Sequence, residues 1–382
     1  MSELYKPLRS LNEGHWFKLI CGASFQHLPA VRNLALAYAL AGADCIDVAA
    51  DQAVIAAVQE ALRIASELEH DAQQRGFDYQ GRPWLMVSIN DGEDPHFRKA
   101  KFDPKVCPAE CPRPCEQICP AQAIVFNRDK FSGVVQDRCY GCGRCLPICP
   151  SDLIHAHSYV STPETVVPLV LSTGVDAVEI HTQIGRLAAF ERLWQQIKPW
   201  VHQLKVVAIS CPDGDGMIEY LWSLYRFIAP LPCALIWQTD GRPMSGDIGS
   251  GTTLAAVKLS QKVLAAKLPG YVQLAGGTNN YTVEKLKATG LLVRERGLRQ
   301  KKENYYSTPS HYSPTTNYHI SGIAYGSYAR VLLSPLLAQL EQTPMNQATV
   351  VPLRLEEDTE LLWQAVELAN SLVSQLKSAQ QC

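Results

Sequence analysis

The sequence predicts an α/β protein, namely a (β/α)8, TIM-like barrel that carries an inserted two-cluster, ferredoxin-like α+β module. Eight short apolar segments alternate with stretches of helical periodicity along the chain. A dense group of eight cysteines, between residues 107 and 149, interrupts this alternation after the third apolar segment. We therefore assign residues 1–97 to the first part of the barrel, 98–160 to the module, 161–340 to the second part of the barrel and 341–382 to a C-terminal extension with a helix.

The eight predicted strands are near-continuous apolar runs, as expected for parallel strands that are covered on both faces. They are FKLICGAS (17–24), DCIDVAAD (44–51), PWLMVSIN (83–90), VDAVEIHT (175–182), LKVVAISCP (204–212), CALIWQTD (233–240), GYVQLAGGT (270–278) and ISGIAYGS (320–327). Without the module and the extension the chain has about 250 residues, the typical size of a (β/α)8 barrel. A doubly wound sheet fits the alternation nearly as well, but the count of eight strands favours the barrel.

A stretch with helical character follows each predicted strand, the third only after the module. These stretches are 27–43, 52–70, 162–174, 186–203, 215–229, 250–266, 280–289 and a last one that reaches about residue 340. Thr162 or Ser161 is a candidate cap for the helix that has Pro163 in its first turn. One amphipathic helix at 358–378 is expected to pack on the barrel.

The second cysteine run, CYGCGRCLPICP, has the spacing of a ferredoxin. Cys139, Cys142 and Cys145 are separated by two residues each, and Cys149 follows three residues later, before a proline. In bacterial two-cluster ferredoxins the fourth cysteine of this run ligates the other cluster. Glycines between the first three cysteines let the backbone turn around a cluster. The run therefore predicts two iron–sulfur clusters.

The first run, CPAECPRPCEQICP at 107–120, is interpreted as the diverged partner, because it ends in the same Cys-Pro pair. Its prolines exclude a regular helix through the run. The segment between the runs, 123–137, predicts two short strands. We assign one 4Fe–4S cluster to Cys139, Cys142, Cys145 and Cys119, and the other cluster to Cys107, Cys111, Cys115 and Cys149. The three-residue spacings leave open whether the latter holds four irons or three (3Fe–4S).

The alternative to iron–sulfur clusters is a pair of zinc sites. Paired Cys-x2-Cys units are typical of zinc, whereas a four-cysteine run with a terminal proline is typical of clusters. A disulfide framework is disfavoured for the 13 cysteines, because we expect a cytoplasmic protein in which thiols stay reduced. Cys21, Cys45, Cys211 and Cys233 lie in or beside apolar strands and are interpreted as buried thiols.

Composition limits the partners. The formal net charge is −2, so no global field attracts nucleic acid or an anionic membrane. The chain contains no apolar run of about 18 residues, so we expect no transmembrane segment. The N-terminal residues lack the apolar core of a secretory signal. Residues 291–319 form a polar insertion with basic residues and tyrosines; a nucleic-acid contact is one interpretation, and a mobile lid or partner-binding loop is favoured over it.

Two glycine-containing turns predict a ligand site at the barrel mouth. LAGGTNN follows the seventh strand and YGSYAR the eighth, where barrel enzymes hold phosphate groups. Glycines allow close approach of the backbone, and N–H groups at a helix start attract an anion. The candidate ligands of a phosphate or a flavin are Gly276, Gly277, Thr278, Gly326 and Ser327, with Arg330 as a further candidate. The alternative is that these are ordinary turn residues.

Polar residues also stand at many of the predicted strand ends. They are Cys21, Asp47, Asn90, Glu179, His181, Cys211, Asp213, Gln238 and Asp240. Glu179 and His181 are two positions apart on one strand, so they share a face and are expected to point into the barrel together. Taken singly, each is interpreted as a hydrogen-bonded structural residue. Because the module is inserted after the third strand, its clusters are expected at the same face, the carboxyl-terminal mouth of the barrel.

The arrangement resembles the LdpA (light-dependent period) family. The segments that carry the resemblance are CPAECPRPCEQICPAQAIVF, DRCYGCGRCLPICP, VDAVEIHTQIGR and VQLAGGTNNYTVEKL. The resemblance implies an iron–sulfur protein that reports cellular redox state, through the plastoquinone pool, to the circadian clock. It also implies association with the clock proteins KaiA, CikA and SasA.

Two hypotheses on function remain open at this point. In the first, the protein is a redox sensor whose barrel is a scaffold or a ligand receptor. In the second, it is an iron–sulfur oxidoreductase in which clusters exchange electrons with a flavin or a substrate at the barrel mouth. Flavin absorption beside the cluster bands would support the second.

Overall fold

Eight parallel strands close into a barrel. The computed structural model describes residues 6–22, 25, 27–92, 98–119, 121–128, 131–139, 141, 143–158, 162–242, 249–292, 319–342 and 354–377. The barrel strands are β1 (Trp16–Gly22), β2 (Cys45–Ala49), β3 (Trp84–Asn90), β8 (Ala177–His181), β9 (Val206–Ser210), β10 (Ala234–Asp240), β11 (Tyr271–Ala275) and β12 (Gly322–Tyr325). They pair in this order, and β12 returns to β1. The predicted (β/α)8 barrel is therefore confirmed.

The helices surround the barrel and follow the predicted order. They are α2 (Leu28–Leu40), α3 (Gln52–Glu67), α4 (Glu69–Gln74), α7 (Pro163–Leu171), α8 (Leu187–Ile197), α9 (Met217–Ile228), α10 (Thr253–Ala265), α11 (Thr282–Ala288), α12 (Ser327–Gln342) and α13 (Thr359–Lys377). Outward-facing strand residues such as Leu19 and Val87 form one continuous apolar core with these helices. Pro163 occupies the first turn of α7, where a missing N–H is tolerated.

The amino end of the barrel is closed by a helix that the pattern analysis missed. Helix α1 (Lys6–Glu13) buries Leu11 against a small interior cluster. In this cluster the rings of Trp16 and Trp84 meet edge to face with centroids 5.7 Å apart. At the same end Lys377 of α13 contacts the carboxylate of Asp44, so the C-terminal helix is packed on the barrel as predicted.

The cysteine segment folds as a small module with its own core. Strands β4 (Arg98–Lys101) and β7 (His155–Ser158) pair antiparallel at its two ends. Strands β5 (Ile124–Arg128) and β6 (Phe131–Val134) form the predicted hairpin. No helix forms over 107–113, as the prolines predict, but helix α5 (Pro114–Ile118) forms within the run, because Pro114 is its first residue and proline is tolerated there. Helix α6 (Cys145–Ile148) is its counterpart in the second run.

The domain limits proposed from the sequence remain a prediction, although the β4–β7 ribbon lies near both ends of the assigned module. The polar insertion at 291–319 falls outside the described residues, apart from 291, 292 and 319. None of the described helices is long and apolar enough to cross a membrane.

Candidate functional site

The first cysteine run and Cys149 lie close together. The thiol of Cys107 interacts electrostatically with Cys111 and with Cys149. Cys115, at the start of α5, interacts with both Cys107 and Cys149. Burial and the neighbouring Cys111 raise the pKa of the Cys107 thiol, and the positive charge of Arg113 only partly offsets this. The arrangement therefore supports Cys149 as the fourth member of the first group, and the assignment of cluster ligands stays a prediction.

Two turns with the same geometry shape the sulfur environments. Cys119 Sγ accepts a hydrogen bond of 3.2 Å from Ala123 N, and Cys149 Sγ accepts one of 3.4 Å from Leu153 N. Each turn has a left-handed non-glycine residue three positions after its cysteine, with φ of 48° at Gln122 and 49° at Asp152. This conformation directs the following N–H groups at the sulfur. The internal repeat of the module is thus visible in the backbone as well as in the cysteine spacing.

Backbone donors favour the anionic form of the Cys149 sulfur. Burial opposes ionisation of this thiol, but the N–H groups of residues 151–154 outweigh it and lower its pKa. N–H groups directed at sulfur also help to set the reduction potential of iron–sulfur clusters. This is an environment that suits a thiolate ligand.

Two cysteines of the second run lie in the small core of the module. Cys139 and Cys145 are 8% exposed, and Cys119 packs in the same small core. Cys139 Sγ accepts a hydrogen bond of 3.4 Å from Ala100 N of β4. Gly141 and Gly143 have φ of 76° and 74°, as expected for the tight turn between the cysteines. Cys142, the remaining predicted ligand of this group, lies outside the described residues.

The donor set of the module fits iron–sulfur clusters. It combines cysteine sulfurs in two groups with peptide N–H groups directed at three of the sulfurs. Among the residues that the structure describes, no three His, Cys, Asp or Glu side chains converge closely enough to hold a single metal ion. The four cysteines predicted to be ordinary thiols, Cys21, Cys45, Cys211 and Cys233, are buried in the barrel, which confirms that prediction.

The module lies at the carboxyl-terminal mouth of the barrel. Arg138, which precedes Cys139, approaches His27 beyond the end of β1, with Nη2 and Nε2 3.5 Å apart. A cavity is lined by Gln122 and Arg138 of the module together with Ser327 and Arg330 at the start of α12. The expected side of the barrel is thereby confirmed, since β1 ends and α12 begins at its carboxyl end.

The turn at Gly276–Thr278 is closely packed against neighbouring residues. Gly276 and Gly277 have φ of 73° and 76°. A Cβ at Gly277 would lie 2.6 Å from Thr252 O, and one at Gly276 would lie 1.9 Å from Asp240 Oδ1. Thr278 Oγ1 donates to Ala324 O at 2.8 Å, which brings this turn beside the end of β12. The Asp240 carboxylate opposes an anion at the Gly276 side.

The turn after β12 is positively charged. Arg330 Nη1 donates to Ile20 O at 2.9 Å, and its Nη2 approaches Ser327 Oγ at 3.2 Å. The guanidinium is thus held across the seam between the last and first strands of the barrel, beside Gly326. This turn, unlike the Gly276 side with its Asp240 carboxylate, therefore has a fixed cation beside its backbone.

A network of charged and amide side chains fills the middle of the barrel. Lys18 contacts Glu179 and lies 3.0 Å from Asp47 Oδ2, and all three side chains are buried. Ser88 Oγ donates to Asp47 Oδ1 at 2.8 Å. Gln238 Nε2 donates to the other oxygen of Glu179.

The network continues to the amino end of the barrel and towards its mouth. Gln273 Nε2 donates to Gln238 Oε1 and Trp16 Nε1 donates to Gln273 Oε1, both at 2.5 Å. At the mouth side, His181 Nε2 lies 3.6 Å from Glu179 Oε1. The residues come from β1, β2, β3, β8, β10 and β11, so the network joins most of the barrel strands.

The charges of the barrel network do not balance without a proton. Burial opposes the charged form of Lys18, but Asp47 and Glu179 outweigh it, and the pKa of the ammonium is raised. Burial raises the pKa of the Asp47 carboxyl to about 6, and the nearby Lys18 only partly offsets this. One ammonium between two carboxylates therefore leaves Asp47 as a group that takes up a proton near neutral pH.

Sequence reasoning identified part of this network. Asp47, Glu179, His181 and Gln238 were expected at strand ends, and the inward direction of Glu179 and His181 is confirmed. Lys18, which joins the acids, was missed. The available signal was a single charged residue inside an otherwise apolar strand, since such a residue is almost never buried unless paired.

Family models match both parts of the chain. Residues 107–160 match the LdpA Fe-S cluster-binding domain. Residues 169–375 match the Light dependent period A C-terminal domain. The chain is 48% identical over 373 residues to "Light dependent period A" of Synechococcus elongatus, and the match covers 98% of this chain and 94% of that protein.

Solved barrel structures are similar to this chain at a remote level. GGGPS from Thermoplasma volcanium is 9% identical with a TM-score of 0.39, over 99% of this chain and 98% of that chain. Tryptophan synthase from M. tuberculosis is 11% identical with a TM-score of 0.36, over 98% of this chain and 100% of that chain. Neither likeness bears on activity.

The family is therefore decided by the two domain models and the nearly full-length relative. The clustered cysteines with their N–H donors agree with the iron–sulfur-binding part of that description. The chain belongs to the LdpA (light-dependent period) family and contains its iron–sulfur cluster-binding domain.

Proposed function

We propose that the protein is an iron–sulfur redox sensor of the circadian clock input pathway, which relays the redox state of the plastoquinone pool. The observation that carries the proposal is the position of the cysteine module: its residues Gln122 and Arg138 face the barrel mouth. A change of charge at a redox centre in this position can therefore affect the adjacent barrel residues.

The proposed ligands are Cys119, Cys139, Cys142 and Cys145 for one 4Fe–4S cluster, and Cys107, Cys111, Cys115 and Cys149 for a 4Fe–4S or 3Fe–4S cluster. Bound clusters of these types supply one-electron transfer at potentials that depend on exposure, net charge and hydrogen bonds to sulfur. The chain contributes N–H groups to three of the sulfurs, from Ala100, Ala123 and Leu153. These donors favour the added negative charge of a reduced state.

The family relationship supports a proposal on partners and location. The relative from Synechococcus elongatus is called "Light dependent period A", and this name supports a role of the present chain in clock timing. We propose a cytoplasmic protein that binds KaiA, CikA or SasA, receives electrons from or delivers them to a quinone, and binds no nucleic acid. The net charge of −2 supports the last point, since it provides no general attraction for phosphate backbones.

A second candidate function is an iron–sulfur oxidoreductase with a flavin or phosphorylated ligand in the barrel mouth. It is favoured by the closeness of the turn at Gly276, Gly277 and Thr278 to Gly326 and Ser327, since Thr278 bonds the carbonyl of Ala324. The Arg330 guanidinium supplies one cation for a phosphate there. The carboxylate of Asp240 at the Gly276 side weighs against this candidate.

Anaerobic purification tests the proposal. We expect two clusters by iron and sulfide analysis and by electron paramagnetic resonance of the reduced protein. We also expect KaiA, CikA or SasA to bind oxidised and reduced protein with different affinity in a pull-down experiment. Absence of clusters, or equal binding of every partner in both states, would contradict the sensor. Stoichiometric flavin absorption would support the oxidoreductase.

The crossed ligand assignment has its own test. Cys149→Ala should perturb the first-run cluster and leave the Cys139–Cys142–Cys145 signal largely intact. Cys233→Ala is the matched control, because this buried thiol lies in the barrel, and both cluster signals should persist. Loss that is confined to the second-run cluster in Cys149→Ala would overturn the assignment.

A further inference from the structure

A cavity separates the iron–sulfur module from the barrel. Its volume is about 100 Å3, several times the 10–15 Å3 that one water needs. One wall belongs to the module, at Ala121, Gln122 and Arg138, and the other to the barrel, at the start of α2 and along α12. Cavities between two folded units are frequent places for small-molecule sites.

The lining of the cavity is apolar on one side and positively charged on the other. Phe25, Leu34 and Leu337 supply a buried apolar surface. Arg138 and Arg330 supply two guanidinium groups, and none of the described residues that line the cavity is acidic. The Arg330 guanidinium is fixed by its bonds to backbone carbonyls, so it is held in place before a ligand arrives. A lining of this kind complements an anion on a compact apolar body.

The module wall also adjoins two predicted ligands of one cluster. Gln122 belongs to the turn whose next residue, Ala123, donates its N–H to Cys119 Sγ. Arg138 directly precedes Cys139. A molecule that touches Gln122 and Arg138 therefore contacts residues that directly precede Ala123, the donor to Cys119, and Cys139.

We propose that this cavity is a binding site for a small organic anion, a carboxylate or phosphate monoester on a compact apolar body, and that its occupancy is coupled to the second-run cluster. The coupling rests on the proposed iron–sulfur function, whereas the binding does not. The head group lies between Arg138 and Arg330, and the apolar body lies against Phe25, Leu34 and Leu337. This site is distinct from the turn at Gly276–Thr278, which carries the Asp240 carboxylate.

The sign of the coupling follows from electrostatics. Reduction adds negative charge to the cluster, and a bound anion nearby opposes that charge. The anion should therefore bind more tightly to the oxidised protein and lower the reduction potential. Linkage requires the two effects to match, so a tenfold weaker affinity for the reduced protein corresponds to a shift of about 59 mV for one electron.

Calorimetric titration of the full, anaerobically purified chain tests the binding. The probes are benzoate, hexanoate and phenyl phosphate, with inorganic phosphate and benzyl alcohol as probes that lack the apolar body or the charge. We expect saturable binding of at least one of the first three and at least tenfold weaker binding of the last two. If none of the first three binds saturably, the site is refuted.

Variants at the cavity rim locate the binding and avoid the barrel core. Ser334 is exposed on α12 and lines the cavity, so Ser334→Asp adds a negative charge at the rim without burying it. We expect Ser334→Asp and Arg138→Gln to weaken probe binding at least tenfold, and Ser334→Asn, the uncharged control of the same shape, to leave it within twofold. Equal binding by Ser334→Asp and Ser334→Asn would place the ligand elsewhere and overturn the site.

A potentiometric titration tests the coupling. At a probe concentration that just saturates the unaltered protein, the midpoint potential of the second-run cluster should move to lower values in that protein and in Ser334→Asn, and clearly less in Ser334→Asp. An unchanged potential in the presence of demonstrated binding would overturn the coupling while leaving the binding site established. If the purified protein lacks clusters but still binds the probe, the proposed iron–sulfur function is refuted and the binding site is not.

Discussion

Replacing Lys18 with methionine should destabilise the barrel severely, because it removes the only cation found between Asp47 and Glu179 in the described part of the barrel interior. Loss of one partner of a buried ion pair costs about 3–5 kcal/mol. Asp47 relieves part of this cost by taking up a proton, since burial already raises its pKa to about 6. Protonating a carboxylate at pH 7 costs about 1.4 kcal/mol for each unit by which its pKa lies below 7. We therefore expect a loss near the lower limit, about 3 kcal/mol.

Urea unfolding followed by tryptophan fluorescence measures this loss. A value of about 3 kcal/mol corresponds to a decrease of about 6–12 °C in Tm for a domain of this size. The loss should be smaller at pH 5 than at pH 7, because protonation of Asp47 is easier at the lower pH. Glu179→Gln added to Lys18→Met should recover part of the stability, since it removes one of the two carboxylates that Lys18 leaves behind.

Lys205→Met is the matched control for Lys18→Met. Lys205 Nζ lies 2.9 Å from Asp176 Oδ1, but the lysine side chain is 42% exposed. An exposed pair contributes about 0–1 kcal/mol, so this substitution should have little effect. If Lys18→Met is no more costly than Lys205→Met, the buried network is not the one described.

Three further predictions concern Asp47, Gly277 and the first-run cluster. Asp47 should contribute a free energy of unfolding that falls as pH rises from about 4 to about 6, because folded Asp47 keeps a proton that the unfolded chain releases. In urea unfolding, the stability of the native protein relative to Asp47→Asn should therefore decrease across this window, and a constant difference would contradict the raised pKa. Gly277→Ala should cost more in thermal unfolding than Gly174→Ala, since both glycines have positive φ but only Gly277 meets a backbone atom, and equal losses would show that the contact with Thr252 yields easily. On exposure to air the first-run cluster should lose its paramagnetic signal before the second, because Cys107 and Cys111 are partly exposed whereas Cys139 and Cys145 are buried; simultaneous decay would argue against this.

The barrel was predictable because its signals are local. Each strand is an apolar run and most are followed at once by a helical pattern, so counting gives eight units without knowledge of contacts. The cysteine groups were predictable for a similar reason, since ligand spacing is itself the motif. Helix α1 was missed because it has only eight residues and precedes the first strand, so a count of strand–helix pairs does not include it.

The barrel network could not be derived in full from the sequence. Alternation along a strand shows which side chains share a face, but not how far each strand is shifted against its neighbour. The pairing of Lys18 with Cys45 and of Ile20 with Asp47 fixes the height of Lys18 in the barrel. Only that register brings the ammonium level with Asp47 and Glu179. The left-handed conformations of Gln122 and Asp152 could not be predicted either. Positive φ is expected mainly at glycine, and neither residue is a glycine.

The β4–β7 ribbon described above has a consequence for how the protein loses structure. Because the two strands hold the entry and exit of the module side by side, the chain that leaves the barrel after β3 returns close to where it left. The module also has an apolar core of its own, formed around Ile124 and Ile154 and separate from that of the barrel. The two parts can therefore open as independent cooperative units. A molecule stripped of iron would melt first in its inserted segment, while the barrel and its buried lysine keep their native arrangement.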